Sequence, residues 1–244
     1  MSPRIILPSL LLAGLLSLPA WASGIPTPKP PGDTGAPRGR FVELHSCELF
    51  AGPCVINSEV NQTGNYVLHA WQFDQGSFQG VPLRGLMVAL LEKGGDTLAV
   101  AANHASDAVA YVPPGITAAQ RSALLAWARA NTAVPLDDKH VKVAAMQAQI
   151  APDNVSFSAG QEITFTGGTP PPCPTGACAQ MLWYAPRLAA TSFVVDQLGQ
   201  SRIIEPLLAL KWMDHGRQTL FVGRFGDPEV TVPPLCSPTE TAAL

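Results

Sequence analysis

Short segments in which apolar and polar residues alternate recur along most of this chain, and they constrain its fold more than any other feature. Alternation with a period of two is typical of β-strands that bury one face. Glycine and proline residues separate the segments and indicate turns. Gly94-Gly95-Asp96 predicts a hairpin between the third and fourth strands. The pattern predicts strands over 41–47, 65–73, 86–91, 97–102, 141–150, 155–158, 162–166, 191–195 and 219–225.

One segment departs from this pattern and predicts an α-helix. Thr117 and Gln120 have the spacing of a capping box at its start. Leu124 and Ala128 belong to its buried stripe, and we expect the helix to end near Asn131. Runs of strands with one well-defined helix favour the α+β class. The sheet should be mainly antiparallel and able to curl toward a barrel.

The first residues have the pattern of a secretory signal. Arg4 precedes an apolar run over 5–16, and Ala20-Trp21-Ala22 matches the site that a signal peptidase cleaves. The run is shorter than the ~20 residues that a spanning helix needs, so we expect no membrane span in the mature chain. The predicted organisation is a signal peptide at 1–22, a Pro/Gly-rich leader at 23–40, and a single globular domain at 41–244 with a Pro-rich, Cys-containing tail.

Charge and cysteine content limit the function classes. The net charge is −3 and the mature chain has no cluster of basic residues, which argues against a nucleic-acid partner. An exported chain is expected to be periplasmic or secreted, where thiols meet oxidising conditions. The five cysteines are an odd number, so at least one lacks a partner within the chain. No nucleophile elbow, phosphate loop or redox C-x-x-C motif is present, so we expect no enzyme.

The stretch HSCELFAGPC carries the most concentrated chemistry. Glu43, His45 and Cys47 are predicted to share one face of the first strand, and Cys54 can return to them through the Gly52-Pro53 turn. Thiolate and imidazole ligands suit copper and, secondly, zinc. A local disulfide between Cys47 and Cys54 is the alternative in an oxidising compartment.

Other histidine and cysteine residues extend these alternatives. His69 lies on a face of the second strand that it shares with an aromatic residue, so it is either a further ligand or a packed, hydrogen-bonded side chain. Cys173 and Cys178 occur in a proline-rich loop, which suits a surface disulfide or a C-x4-C metal clip. Cys236 is then the odd thiol.

Several segments together resemble the exported subgroup of an uncharacterised bacterial family, domain of unknown function thirteen twenty-six. The resemblance rests on FVELHSCELFAGPCVIN, HAWQFDQGSFQGVPLRGLMVAL, ITAAQRSALL and TLFVGRF. Many members of that family carry a C-x-C start and a C-P-C turn, whereas this chain has His45 before Cys47 and Gly52-Pro53 before Cys54. The resemblance implies metal handling beside a metal-binding membrane protein.

The leading hypothesis is an exported, non-enzymatic protein that binds a soft metal for buffering or delivery. Copper is the expected ion and zinc the second choice, with His45, Cys47 and Cys54 as ligands and Glu43 and His69 as further candidates. The expected partner is a membrane metal-handling protein. Two alternatives stay open: a disulfide-stapled structural or partner-binding module, and a thiol-disulfide exchange protein.

Overall fold

The computed structural model describes residues 35–51, 64–132, 134, 136–168, 181–182 and 184–227. Within these ranges the chain is mostly β-structure, with one α-helix, α1 (Ala118–Ala130), and two 3-10 helices, Asp138–His140 and Pro206–Leu208. The strands are β1 (Arg38–His45), β2 (Phe50–Ala51), β3 (Tyr66–Gln75), β4 (Ser77–Phe78), β5 (Val81–Pro82), β6 (Met87–Gly94), β7 (Ala105–Val112), β8 (Val141–Val143), β9 (Met146–Ala151), β10 (Asn154–Ala159), β11 (Ile163–Gly168), β12 (Met181–Leu182), β13 (Ser192–Glu205), β14 (Leu210–His215) and β15 (Leu220–Phe225).

One large sheet holds most of these strands, in the order β8-β7-β6-β3-β1-β15-β13-β11-β10-β9, with β14 paired to β13. Its pairs are antiparallel except for β7 with β8, which run parallel. Strand β9 at one end of the order also contacts β1 and β15 in its middle. The sheet therefore curls over itself as a half-barrel.

Each face of the curled sheet carries its own hydrophobic core. The concave core joins side chains from both ends of the sheet, among them Val42, Leu68 and Phe157. The opposite face packs against the helix and includes Phe41 and Trp71. Because successive side chains of a strand point to opposite faces, β1 contributes to both cores.

The helix forms where the sequence predicts it. The Thr117 hydroxyl accepts a hydrogen bond from the Gln120 N–H, and the Gln120 side chain accepts one from the Thr117 N–H, which completes the capping box. Asn131 caps the other end, and Leu124 and Ala128 are buried against the sheet.

The α+β prediction is confirmed at this level: a mainly antiparallel, curled sheet with one helix in the described chain. The strand predicted at 97–102 is wrong, because these residues form turns closed by bonds such as Val100 N–H to the Thr97 carbonyl. The partner of β6 is β7, so no tight hairpin closes at Gly94. Strand β1 begins at Arg38, inside the segment predicted as leader.

The predicted signal peptide lies outside the described residues. In the part of the chain that the structure describes, no helix is both long and apolar enough to cross a membrane.

Candidate functional site

A buried cluster of charged side chains lies on the helix-covered face of the sheet. Glu43 on β1 stands directly opposite His69 on β3, and His45 follows two residues later on the same face as Glu43. Glu92 on β6 completes the cluster. All four side chains are buried, so each must find its partners inside the protein.

Glu43 is the centre of this cluster. Its Oε1 lies 2.5 Å from His45 Nε2, and its Oε2 lies 3.4 Å from His69 Nδ1. The backbone N–H groups of Arg187 and Leu188 donate to the same carboxylate at 3.0–3.3 Å. Burial alone would raise the pKa of Glu43, but its contacts with His45 and His69 hold that pKa far below its ordinary value. Glu43 is therefore a buried carboxylate.

His69 lies between two carboxylates. Its Nε2 is 2.8 Å from Glu92 Oε2, and its Nδ1 faces Glu43. Burial alone would lower the pKa of His69, but Glu43 and Glu92 raise it to about 9. His69 is thus an imidazolium at neutral pH, and Arg187 Nε, 4.0 Å from Glu92 Oε2, adds a second positive charge to the cluster.

Aromatic side chains fix both imidazole rings. The His69 ring stacks on Trp71 with centroids 5.5 Å apart, and the His45 ring meets Phe221 edge-on at 5.7 Å. These apolar walls exclude water, which strengthens the electrostatic contacts inside the cluster.

Two imidazole nitrogens of the cluster, His45 Nδ1 and His69 Nδ1, have no hydrogen-bond partner among the described residues, and only His69 Nδ1 has a carboxylate within ion-pair distance. Because Glu43 is ionised, His45 Nε2 must donate the hydrogen that joins them. In the neutral ring the lone pair then resides on His45 Nδ1. That atom is buried and has no hydrogen-bond partner among the described residues. A buried nitrogen that is oriented but unpartnered is a candidate ligand atom.

Cys47 follows His45 just beyond the end of β1. The residue is 3% exposed and its thiol is free in the described part of the chain. Burial raises its pKa to about 11, with Glu48 adding to the rise and Arg217 opposing it. Gly64 packs closely against the sulfur, since a Cβ at that position would lie 2.6 Å from Cys47 Sγ. Cys54, Cys173, Cys178 and Cys236 lie outside the described residues.

The described residues contain no group of three or more His, Cys, Asp or Glu side chains that could by themselves hold a metal ion. The reason is visible in the contacts of His69, which turns a different nitrogen to each of two carboxylates. The cluster is a series of pairwise contacts, and its side chains do not converge on one point. Of the five candidate ligands, the structure brings together Glu43, His45 and His69, as hydrogen-bond and ion-pair partners.

Comparisons with protein-family models, curated proteins and solved structures found no match to this chain. The resemblance to the uncharacterised bacterial family therefore stays a prediction.

Sequence reasoning missed two members of the cluster. Glu92 directly follows the apolar run MVALL within β6, and a carboxylate inside an otherwise apolar strand is a signal that could have identified it. Arg187 follows no recognisable pattern, because it reaches Glu92 from a segment far along the chain. Its guanidinium also donates to the backbone carbonyls of Leu98 and Asn103.

Arg187 connects the cluster to the surface. It lines a pocket of about 470 Å³ together with Ala99, His104 and Asn131. Its side chain is 16% exposed, whereas that of Glu92 is buried. The outermost charge of the network therefore lies beside solvent, while Glu43 and His45 lie deep in the fold.

Proposed function

We propose that this chain binds one soft or borderline transition-metal ion, copper first and zinc second, for buffering or delivery. The ligands in this proposal are His45 Nδ1 and the thiolates of Cys47 and Cys54. The supporting observation is the His45 ring, whose Nε2 is held by a buried carboxylate while Nδ1 has no partner among the described residues.

The Glu43–His45 contact has the form found behind metal-binding histidines. A ligating imidazole commonly donates its second N–H to a carboxylate, which fixes the ring and makes the free nitrogen more basic. Glu43 is in turn oriented by the Arg187 and Leu188 N–H groups and by His69. In this proposal Glu43 and His69 position the ligand and do not touch the ion.

The thiol of Cys47 suits a soft ion better than a hard one. Cys47 lies two residues after His45, just beyond the end of β1, and the proposal places both side chains on one ion. Sulfur and imidazole nitrogen favour Cu(I), Cu(II) or Zn(II) over magnesium or calcium. Binding must displace the thiol proton, and the raised pKa of Cys47 makes that displacement costly. An ion with high thiolate affinity is therefore required.

The same thiol is unsuited to the attacking role in the exchange alternative, which also involves Cys54 and Cys236. A thiol-disulfide exchange protein needs an accessible thiol with a lowered pKa. Cys47 is buried and its pKa is raised to about 11. A disulfide-stapled module remains the competing proposal, and it predicts that no metal binds at His45.

The proposed setting is the periplasm or the exterior of the cell, with a membrane metal-handling protein as the partner. This part of the proposal depends on the signal-like first 22 residues and on the family resemblance.

A competition titration tests the proposal. The mature protein is titrated anaerobically with Cu(I) held by a chromophoric chelator, beside the variants His45→Ala, Cys47→Ala and Cys54→Ala. We expect one ion per chain and a loss of at least about tenfold in affinity for each variant. His104→Ala is the matched control, because His104 is an exposed histidine outside the cluster. Equal affinity in His45→Ala and His104→Ala would contradict the assignment.

Alkylation of Cys47 is a weak readout for this purpose. A buried thiol with a raised pKa reacts slowly whether or not an ion is present. Co(II) substitution is more informative, since a thiolate-to-cobalt charge-transfer band reports sulfur ligation directly. Thermal unfolding of each variant separates loss of a ligand from loss of the fold.

A further inference from the structure

The backbone of Arg187 holds the buried carboxylate of the cluster. Arg187 lies between β12 and β13, outside any helix or strand, so individual contacts and not a sheet ladder fix its position. Its N–H donates to both carboxylate oxygens of Glu43, at 3.0 and 3.1 Å. Glu43 in turn contacts His45 Nε2 at 2.5 Å. The place of Arg187 therefore sets the place of the carboxylate that orients the proposed nitrogen ligand.

The side chain of Arg187 reaches the turn at 97–103. Its Nη1 donates to the Leu98 carbonyl and, at 3.3 Å, to the Asn103 carbonyl. Its Nε lies 4.0 Å from Glu92 Oε2. A guanidinium is planar and presents its N–H groups in fixed directions, so it can hold several acceptors at once. One side chain thus joins this turn to the buried cluster.

The same turn supports the wall beside Cys47. The Leu98 N–H donates to the Gly64 carbonyl at 2.8 Å, and the Gly64 N–H donates to the Thr97 hydroxyl at 3.4 Å. A Cβ on Gly64 would lie 2.6 Å from Cys47 Sγ and 2.9 Å from Thr97 Cγ2, so the sulfur, Gly64 and the turn are in close contact. Close-packed interiors transmit displacements. A shift of the turn is therefore felt at the sulfur.

We propose that Arg187 is a positioning residue that holds the nitrogen side and the sulfur side of the metal site at one separation. Its backbone acts on His45 through Glu43, and its guanidinium acts on Cys47 through the turn at 97–103. Arg187 does not touch the ion. Ligands from different segments form a preorganised site only when their supports are locked to each other. This inference rests on the proposed function and adds to it the residue that connects the two supports.

The pocket beside Arg187 allows a direct test of this role. The Arg187 side chain is 16% exposed and lines the pocket of about 470 Å³. Arg187→Ala removes the guanidinium and should leave a space that opens into this pocket. Ethylguanidinium from solution can enter that space and restore the contacts with Glu92 and with the two carbonyls. Ethylammonium is the matched probe, since it carries the same charge without the planar set of donors.

Chelator competition with Cu(I) gives the first readout. We expect Arg187→Ala to lose at least about tenfold in affinity, and to regain most of that loss in millimolar ethylguanidinium but not in ethylammonium. Arg202→Ala is the matched control, because Arg202 is an exposed arginine on β13 that donates to the Gln161 carbonyl. If Arg187→Ala fails to fold, Arg187→Lys keeps the positive charge beside Glu92 and should still bind Cu(I) more weakly than wild type.

Nitrogen-15 NMR of the imidazole rings gives a second readout that needs no metal. We expect Arg187→Ala to move the His45 signals, because the Glu43 carboxylate is no longer held in place, and ethylguanidinium to move them back. A wild-type protein that binds no Cu(I) would contradict the proposed function itself.

Wild-type binding of one ion, with equal affinity in the folded Arg187 variant, would overturn this inference alone. A loss of affinity with unmoved His45 signals would overturn it as well, because the guanidinium would then act by another route.

Discussion

Glu43 and His69 face each other across β1 and β3, with 3.4 Å between the carboxylate and the ring, and no solvent reaches either side chain. The pair is the core of a network that runs from His45 through Glu92 to Arg187. Each charge in such a network is tolerable only because its partner is present. The behaviour of the fold and of the proposed site both depend on this relationship.

Removal of one partner should be strongly destabilising. Glu43→Gln leaves the His69 imidazolium facing an uncharged group, and we expect a loss of about 3 kcal/mol in the free energy of unfolding at pH 7. Urea denaturation of the variant and the wild type measures this loss. Glu162→Gln, which breaks the partly exposed pair with Lys142, should cost less than about 1 kcal/mol. If the double variant Glu43→Gln/His69→Gln lost the full sum of the single losses, the two residues would not be coupled.

The same carboxylate should matter for metal affinity. Glu43→Gln keeps the size of the side chain but removes the charge that orients His45, so we expect affinity for Cu(I) to fall by about 10- to 100-fold. Chelator competition measures this in the temperature range where the variant stays folded. Glu162→Gln serves again as the control. Unchanged affinity in Glu43→Gln would mean that His45 is not held for a metal.

Crowding at Cys47 provides a test of packing. Gly64→Ala would place a Cβ 2.6 Å from Cys47 Sγ and 2.9 Å from Thr97 Cγ2, and we expect a loss of about 1–3 kcal/mol. Gly95→Ala is the matched control, because nothing lies within 4 Å of a Cβ there. Adding Cys47→Ala to Gly64→Ala should restore part of the stability in thermal melts. A double variant no more stable than Gly64→Ala would show that the sulfur is not the obstacle.

Asp196 should give the fold a distinct dependence on pH. Burial raises its pKa from 3.8 to about 6, although a hydrogen bond donated by the Asp153 backbone N–H opposes the rise. The folded protein then holds this proton more tightly than the unfolded chain, so its contribution to stability is present below pH 4 and is lost as pH rises through about 6. Asp196→Asn mimics the protonated acid. We expect its stability relative to wild type to improve by about 2 kcal/mol between pH 4 and pH 7.5.

Chemical denaturation of wild type and Asp196→Asn at matched pH values checks this expectation. Parallel stability curves over that range would show that Asp196 does not hold a proton in the folded protein.

Local patterns predicted much of this fold. Alternation placed Glu43 and His45 on one buried face of β1, and Thr117 and Gln120 marked the start of the helix. The prediction at 97–102 was wrong because this segment is apolar, as a strand would be, and Leu98 is buried. The carboxylate of Asp96 accepts a hydrogen bond from the Thr97 N–H, which favours a turn. Hydrophobicity alone does not separate these two outcomes.

The candidate site was only half predictable, because its other half comes from distant parts of the chain. Glu43 and His69 are brought together by strand register, which alternation in two neighbouring strands suggests. Arg187 reaches Glu92 through tertiary packing, and no spacing in the sequence encodes that contact.

X-ray absorption at the copper edge of the Cu(I)-loaded mature protein tests the central claim most directly, since it reports the atoms bound to the ion. The account predicts one imidazole nitrogen and two sulfur ligands, with the imidazole signal lost in His45→Ala and retained in His104→Ala. A spectrum without an imidazole ligand, or one that is unchanged in His45→Ala, would contradict it.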